Sequence, residues 1–429
     1  MDPPPAHAPP AHRADPLGWC IALTALFAAL CAVRLTIPGK PMFDEVHYLP
    51  AARAILALSH PANAEHPPLG KELIALGIAL FGDRPLGWRI MSAAFGTLGL
   101  LAAMRALWFA SGSRFATLAY GVLLVTGFPL LIQSRIAMLD VFMLGLTLTG
   151  LWQVAGAVRG PETAHWRLPL AGAALGLAMA AKWNAIPVAV LPGLAFLAVR
   201  LRSAGWRALT VRRGPPIGGV TLWQAGLWLG LVPIAAYIAA FWPLFFLHEG
   251  ATPPTGLIEL HRQMLALQDQ PLPTHPYQSV WWQWMLDWRA IWYLYERTGG
   301  AQRGVVMLGN PLTFWLSLPA LAWCAWAGAA RRRWDALTVV VLYAASLGLW
   351  IVAGKNVQFY YHYALPGCFA LAALALALAE LWRRNWRVIP LAVLAGGTLL
   401  LAWFWPILTA APLANERSFE DYTWLASWL

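Results

Sequence analysis

Two adjacent acidic residues, Asp44 and Glu45, follow the first strongly apolar segment of this 429-residue chain. A carboxylate in such a position can act as a general base, taking the proton from a hydroxyl group that attacks a substrate. The competing interpretation is a helix cap, because an aspartate before the first turn of a helix accepts hydrogen bonds from free amide groups. The two residues by themselves leave both roles open.

A second polar segment runs Asn63-Ala-Glu65-His66-Pro67-Pro68-Leu69-Gly70-Lys71. Taken singly, the His-Pro-Pro string is typical of a turn, and Lys71 is typical of a cation that lies at a membrane surface with its stem in apolar surroundings. The carboxylates and imidazoles of the two segments could also bind a divalent cation, but their spacing matches no familiar zinc pattern. We therefore predict no metal ligands and no required cofactor, with a divalent cation as the open alternative.

Further ionisable residues lie at the ends of apolar segments, where charge is costly. Arg135 and Asp140 flank one such end, Lys182 lies at another, and Lys355 and His362 lie at a third. A charge at mid-bilayer costs about 2.5–3.5 kcal/mol, less near the surface, so such residues are candidates for function. The alternatives are snorkelling or an Arg135–Asp140 ion pair. Together they predict a cationic pocket facing the carboxylate pair, as a phosphate leaving group and a general base require.

The elements that must position these residues are transmembrane helices. Hydrophobic residues make up 59% of the chain and charged residues 11%, far from soluble usage. Apolar runs long enough to cross a bilayer recur along the sequence, and no alternating pattern suggests a barrel. We predict an all-α membrane protein with about eleven spans, at residues 17–37, 86–104, 115–133, 141–158, 168–181, 185–199, 220–246, 311–330, 336–353, 364–381 and 388–409.

The positions of arginine and lysine predict the orientation. Basic clusters occur in every second connection, which is typical of cytoplasmic loops, and they explain a net charge of +11 without a nucleic-acid surface. This gives a disordered cytoplasmic tail at 1–16, a membrane domain at 17–409 and an outer C-terminal tail at 410–429. The outer loops at 38–85 and 247–310 are long enough to carry function and short interfacial helices.

In the second loop, Trp281, Trp282, Trp284, Trp288 and Trp292 predict an interfacial aromatic belt, or alternatively a platform for a sugar. The four cysteines predict no disulfide.

The chemically suggestive segments also carry a family resemblance. The chain resembles the protein O-mannosyltransferases of glycosyltransferase family 39, in their bacterial type without a soluble MIR domain. The resemblance rests on Asp44-Glu45, His66-Pro67-Pro68-Leu69-Gly70-Lys71, Arg135 to Asp140, Lys182-Trp183, His275-Pro276-Tyr277, Gly309-Asn310-Pro311 and His362-Tyr363.

This resemblance implies a GT-C fold in the plasma membrane, with the active site on the periplasmic or extracellular face. The donor would be a polyprenyl-phosphate sugar, typically mannose, and the acceptor a Ser or Thr hydroxyl of a protein, with inversion at the anomeric carbon. Asp44 would be the general base and Glu45 its support. Arg135, Lys182, Lys71 and His362 would bind the donor phosphate, with His66 and Asp140 supporting them. A lipid or glycan acceptor, as in the aminoarabinose transferase of lipid A, and a transporter of polyprenyl-linked substrate remain alternatives.

Overall fold

The apolar segments form helices in the structure, a computed structural model that describes residues 14–271, 273–353, 355 and 357–429. The α-helices in this part are α1 Leu17–Ala32, α2 Glu45–Leu56, α3 Leu69–Phe81, α4 Pro85–Ser111, α5 Arg114–Thr126, α6 Pro129–Gln133, α7 Leu139–Arg159, α8 Ala164–Ala181, α9 Ile186–Ala189, α10 Leu191–Ala204, α11 Leu222–Gly226, α12 Val232–Ala239, α13 Leu257–Gln268, α14 Trp281–Met285, α15 Pro311–Arg331, α16 Trp334–Val352, α17 Ala364–Arg383 and α18 Val388–Leu408. The strands are β1 Ile291–Thr298 and β2 Ala301–Met307.

Helices occupy all eleven predicted span positions, but the count of eleven spans is not confirmed. Eight helical stretches in the described part are long and apolar enough to cross a membrane. Of the other three, α1 and α5 are apolar but shorter, and α8 has eighteen residues and begins with polar ones. The stretch from Leu222 to Ala239 is one span in which a π-helical turn at Leu227–Leu231 separates α11 from α12.

The centre of the helical body is formed by α4, α5, α7 and α17. The sequence of α17 is among the most apolar in the chain, yet nearly every one of its residues is buried against other parts of the protein and not exposed at the surface of the helical body. Helix α7 packs against α4 so closely that a β-carbon at Gly145 would lie 2.5 Å from the carbonyl oxygen of Phe95. Only glycine permits this approach, which is the packing device expected where helices associate without a hydrophobic driving force.

The segments assigned to the outer face lie together on one side of this body. The backbone amides of His248 and Glu249, in the second outer loop, donate to the carbonyl oxygens of Leu58 and Ser59 in the first. The amide of Ser279 donates to Gln358 O, which ties the second loop to the segment before α17. These contacts bring the three segments together, and their assignment to the outer face stays a prediction.

The second outer loop contains structure that the sequence analysis missed. Strands β1 and β2 form an antiparallel hairpin around Gly299 and Gly300, with a bulge between Trp292 and Leu294. The expectation of an aromatic belt is wrong for Trp284 and Trp292, which are buried, because their indoles pack into the outer core and donate hydrogen bonds to Ser279 Oγ and Trp428 O.

The two chain ends differ from the predicted tails. Residues 1–13 of the expected disordered tail lie outside the described part, but Asp15 pairs with Arg105 of α4 and fixes the start of α1. At the other end, residues 410–429 pack on the hairpin, where Leu413 N donates to Gln302 O at 2.8 Å. All four cysteines are free and buried.

A labelling experiment tests the orientation. Arg297 in the hairpin and Arg207 in a basic connection are both exposed, and the buried native cysteines give little background. We expect Arg297→Cys to react with a membrane-impermeant maleimide on intact cells, and Arg207→Cys to react only after permeabilisation. The reverse pattern would place the candidate site in the cytoplasm.

Candidate functional site

Arg89, near the start of α4, organises the first outer loop. Its guanidinium forms a bidentate ion pair with Glu45, with Nε–Oε1 and Nη2–Oε2 distances of 2.7 Å, and both side chains are fully buried. The remaining hydrogens donate to the carbonyl oxygens of Leu35, Pro38 and Lys40. All five guanidinium donors are thus engaged, and they shape the turn that leads into α2.

Glu45 is equally saturated. Besides Arg89, its oxygens accept hydrogen bonds from Met42 N at 3.0 Å and Ala137 N at 2.9 Å. Four donors fill the sites that a carboxylate offers, so none remains for an acceptor hydroxyl. These contacts do not favour a direct role of Glu45 in catalysis, which stays a prediction, and we propose that it is a positioning residue that fixes the backbone next to Asp44.

Asp44 is the N-cap residue of α2, yet its side chain makes no capping hydrogen bond. In the described part of the chain no donor reaches this carboxylate, which remains partly exposed in an otherwise buried neighbourhood. Burial raises the pKa of Asp44 to about 6, and the negative charge of Asp140 adds to the rise, while Lys182 and Lys355 oppose it. A free carboxylate with a pKa near neutrality has the properties of a general base.

Asp140 and Lys182 form a buried ion pair beside Asp44, with an Nζ–Oδ2 distance of 2.8 Å. The Lys182 ammonium also lies 5.0 Å from the centre of the Tyr361 ring. Only one of its three hydrogens is used by Asp140, so Lys182 can still donate to a ligand. The alternative pairing of Arg135 with Asp140 is not formed.

Lys355 supplies a second cation to the same neighbourhood. Its ammonium donates to Gln268 Oε1 at 3.2 Å, and Gln268 Nε2 in turn donates to Glu65 O at 2.7 Å. One glutamine at the end of α13 thereby joins three separate segments. Burial and the charge of Lys182 lower the pKa of Lys355, and burial together with the nearby lysines holds the pKa of His66 well below its usual range.

Lys71 stabilises the loop and does not face this pocket. Its ammonium donates to Asn63 O at 2.7 Å and to His66 O at 2.9 Å, with a longer contact to Ala62 O. These three carbonyl groups use its three donors, and burial lowers its pKa to about 8. Lys71 as a phosphate ligand stays a prediction that these contacts do not favour.

Arg135 also has a structural environment. Its Nη1 donates to Cys31 O at 2.6 Å and Leu30 O at 3.2 Å, which are carbonyl groups in the last turn of α1. A cation there is favoured by the helix dipole. Burial and the charges of Arg34 and Arg89 lower the pKa of Arg135 to about 10. The charges that shift the pKa of Asp44 come from other residues, which include Lys182, Asp140 and Lys355. Its predicted contact with phosphate remains untested.

His362 lies in an aromatic cluster. Its ring stacks on Trp350 at a centroid distance of 3.8 Å, and its Nδ1 accepts a hydrogen bond from Phe359 N. The wall nearest Asp44 is made by Tyr293 and Tyr361, which contact the ring of Phe43. The role of His362 in binding phosphate stays a prediction.

Arg89, Tyr293 and Gln268 are the residues of the site to which the sequence analysis gave no role. The sequence did carry a signal for Arg89, because an arginine inside an apolar span usually has a structural or functional role. Tyr293 and Gln268 carried none, because each acts only through a segment distant in sequence. In the described part of the chain no group of three His, Cys, Asp or Glu residues is arranged to bind a metal ion.

Comparison with known proteins shows which families and solved structures this chain is similar to. A family model described as dolichyl-phosphate-mannose-protein mannosyltransferase matches residues 65–220, and one described as the C-terminal four-transmembrane region of protein-O-mannosyltransferase matches residues 254–428. The polyprenol-phosphate-mannose–protein mannosyltransferases of Corynebacterium glutamicum and Mycobacterium tuberculosis are both 28% identical to the chain. The alignments cover 97% and 96% of it, and 94% and 92% of those relatives.

Two solved structures share the fold. The Saccharomyces cerevisiae Pmt1-Pmt2 complex bound to the sugar donor gives a TM-score of 0.82 at 13% identity, covering 96% of this chain and 93% of that one. ArnT from Cupriavidus metallidurans bound to undecaprenyl phosphate gives 0.59 at 19% identity, covering 90% of this chain and 65% of that one.

The fold and the site define a membrane glycosyltransferase of the GT-C class. The two matched regions together cover most of the chain, and both models describe one family. The chain belongs to the protein O-mannosyltransferase family.

Substitutions at the two adjacent carboxylates should separate catalysis from folding. Glu45→Gln leaves the buried Arg89 charge without its partner, which costs about 3–5 kcal/mol, so we expect a lower unfolding temperature as well as lost activity. Asp44→Asn removes a carboxylate that makes no hydrogen bond, so activity should vanish while the unfolding temperature stays at or above the parental value. Thermal unfolding of both variants in detergent checks this, and a parental unfolding temperature for Glu45→Gln would contradict the positioning role.

Proposed function

We propose that this protein transfers mannose from a polyprenyl-phosphate carrier to Ser or Thr hydroxyls of proteins on the outer face of the plasma membrane. The observation that carries the proposal is the Asp44 carboxylate, which no donor in the described part of the chain engages and which lies within reach of the charges of Lys182 and Lys355. The named activity of the curated relatives supports the donor and the class of acceptor.

The proposed reaction is a single displacement. The acceptor oxygen forms a bond to C1 of mannose while the bond from C1 to the phosphate oxygen breaks. Asp44 takes the hydroxyl proton, and polyprenyl phosphate departs with the electron pair of the broken bond. Proton transfer to a positioned base typically contributes about 10²–10⁴-fold.

Lys182 and Lys355 are the best candidates for binding the departing phosphate. Each retains ammonium hydrogens beyond its contact with Asp140 or Gln268. Cations aimed at a group that gains negative charge lower the barrier, and they do so most where water is excluded. We propose that Lys355 joins Lys182 in this role, which the sequence analysis gave to Lys182 together with Arg135, Lys71 and His362.

The outer-face assignment rests on the charge distribution. The basic clusters bound the end of the helical body opposite the site, which is typical of cytoplasmic loops. A polyprenyl carrier places its phosphate at the membrane surface, the level at which charged residues next to apolar spans are expected.

The rate of transfer should depend on the ionisation of Asp44. Because its pKa is about 6, we expect kcat/KM to fall as the pH is lowered through 6, where the base becomes protonated. Because the folded protein binds this proton more tightly than the unfolded chain does, the contribution of Asp44 to the free energy of unfolding increases as the pH falls from about 6 towards 4. The loss of rate should therefore be reversible and precede unfolding. The test is mannosylation of a Thr peptide from pH 4.5 to 8, with thermal unfolding at each pH, and a flat profile down to pH 5 would exclude Asp44 as the base.

Two neutral substitutions should separate phosphate binding from helix capping. Lys355→Met removes an ammonium with free donors, so we expect kcat/KM for the donor to fall about 10- to 100-fold, as for one charge-assisted hydrogen bond. Arg135→Met removes donors to the end of α1, so the unfolding temperature should fall while KM for the donor is unchanged. A raised donor KM in Arg135→Met with an unchanged unfolding temperature would restore Arg135 as a phosphate ligand.

A further inference from the structure

A groove adjoins the candidate site between β1 and the turn that precedes α2. Its volume is about 340 Å³, and its walls are residues 40–43 on one side and residues 292–296 on the other, with Tyr277 at the margin. Phe43 belongs to this wall and directly precedes Asp44, and its ring stacks on Tyr293 at a centroid distance of 4.4 Å. The groove therefore leads to the candidate base.

The groove side of β1 is an unpaired strand edge in the described part of the chain. The two-residue turn at Gly299 and Gly300 makes Thr298 and Ala301 a hydrogen-bonded pair, so alternate residues of each strand direct their backbone groups outwards. Gln302 confirms the alternation, because its carbonyl accepts from Leu413 N, outside the hairpin. Its partner is Arg297, so the outward residues of β1 are Arg297 and Tyr295.

The two edges of the hairpin thus differ. The C-terminal segment covers the edge of β2 through Leu413, whereas no backbone partner in the described part of the chain covers the outward groups of β1, and Tyr295, one of these outward residues, lines the groove. Across the groove, Lys40 Nζ and Glu296 Oε1 form an ion pair at 2.7 Å, with the two side chains 51% and 38% exposed. An open strand edge usually attracts another extended chain, and proteins use this property to bind peptides.

We propose that the acceptor polypeptide binds in this groove as an added antiparallel or parallel strand on β1, with its Ser or Thr side chain directed towards Asp44. This inference rests on the proposed function and names how the acceptor is recognised. Backbone hydrogen bonds to β1 hold the peptide regardless of its sequence, and Phe43, Tyr277 and Tyr293 contact its side chains. Because side chains alternate along a strand, the neighbours of the modified residue point away from the site.

The test is a scan of backbone N-methylation along a short peptide with one central threonine. Each peptide is assayed with purified protein and polyprenyl-phosphate-mannose, and KM and kcat are measured separately. An N-methyl group removes one donor, so we expect KM to rise about tenfold at every second position and to change little at the positions between. A uniform effect, or no effect at any position, would overturn strand addition.

A protein variant gives a second, independent measurement. Tyr277→Ala removes the side chain at the margin of the groove, outside the charged pocket. We therefore expect a raised KM for the peptide, while KM for the donor stays parental. Leu399→Ala, at an exposed apolar position of α18 far from the groove in sequence, is the matched control. An unchanged peptide KM in Tyr277→Ala would count against the groove.

The two proposals fail in different ways. Mannosylation of the unmodified peptide without the alternating pattern contradicts strand addition and leaves the mannosyltransferase activity intact. Absence of mannosylation with every peptide and full-length acceptor protein contradicts both.

Discussion

The buried ion pair between Arg89 and Glu45 is the interaction on which the outer side of this protein depends. Two charges without water are stable only when every donor and acceptor is satisfied, and here the five guanidinium donors and the four carboxylate sites are all filled. The partners come from α4, from the turn after α1 and from the segment before α7. One pair therefore fixes the mutual position of three helices and the turn into α2, and this turn carries Asp44.

The two adjacent carboxylates consequently have opposite roles, although the sequence presents them as a pair. Glu45 is fully engaged, whereas the carboxylate of Asp44, one residue earlier, makes no hydrogen bond to the amide groups that it could cap. Its pKa is raised by burial and by Asp140, and the same neighbourhood holds two lysines with free donors. We propose that the Asp140–Lys182 pair keeps Lys182 in place as an anion ligand beside the base Asp44.

The sequence by itself determined the class of protein and supplied the residue that we propose as the base. Hydrophobic residues make up 59% of the chain and occur in runs spaced along it, which requires a helical membrane body because unpaired backbone groups are not tolerated in lipid. The adjacent acidic pair singled out Asp44, and the cost of charge at a membrane surface singled out Arg135, Asp140, Lys182, Lys355 and His362 as candidates for function. These inferences succeed because they depend on local composition and on the solvent, and neither requires knowledge of which helices are neighbours.

Only the tertiary structure decided which charges meet. From sequence spacing Arg135 and Asp140 are natural partners, yet Asp140 pairs with Lys182 from the end of α8, and Arg135 caps α1. The hairpin was missed because its buried Trp292 carries the same signal as an interfacial belt, and the difference arises only when residues 410–429 cover this side chain. Long-range pairing is invisible in local patterns because a side chain's partner is set by helix packing, which the sequence expresses only through the whole fold.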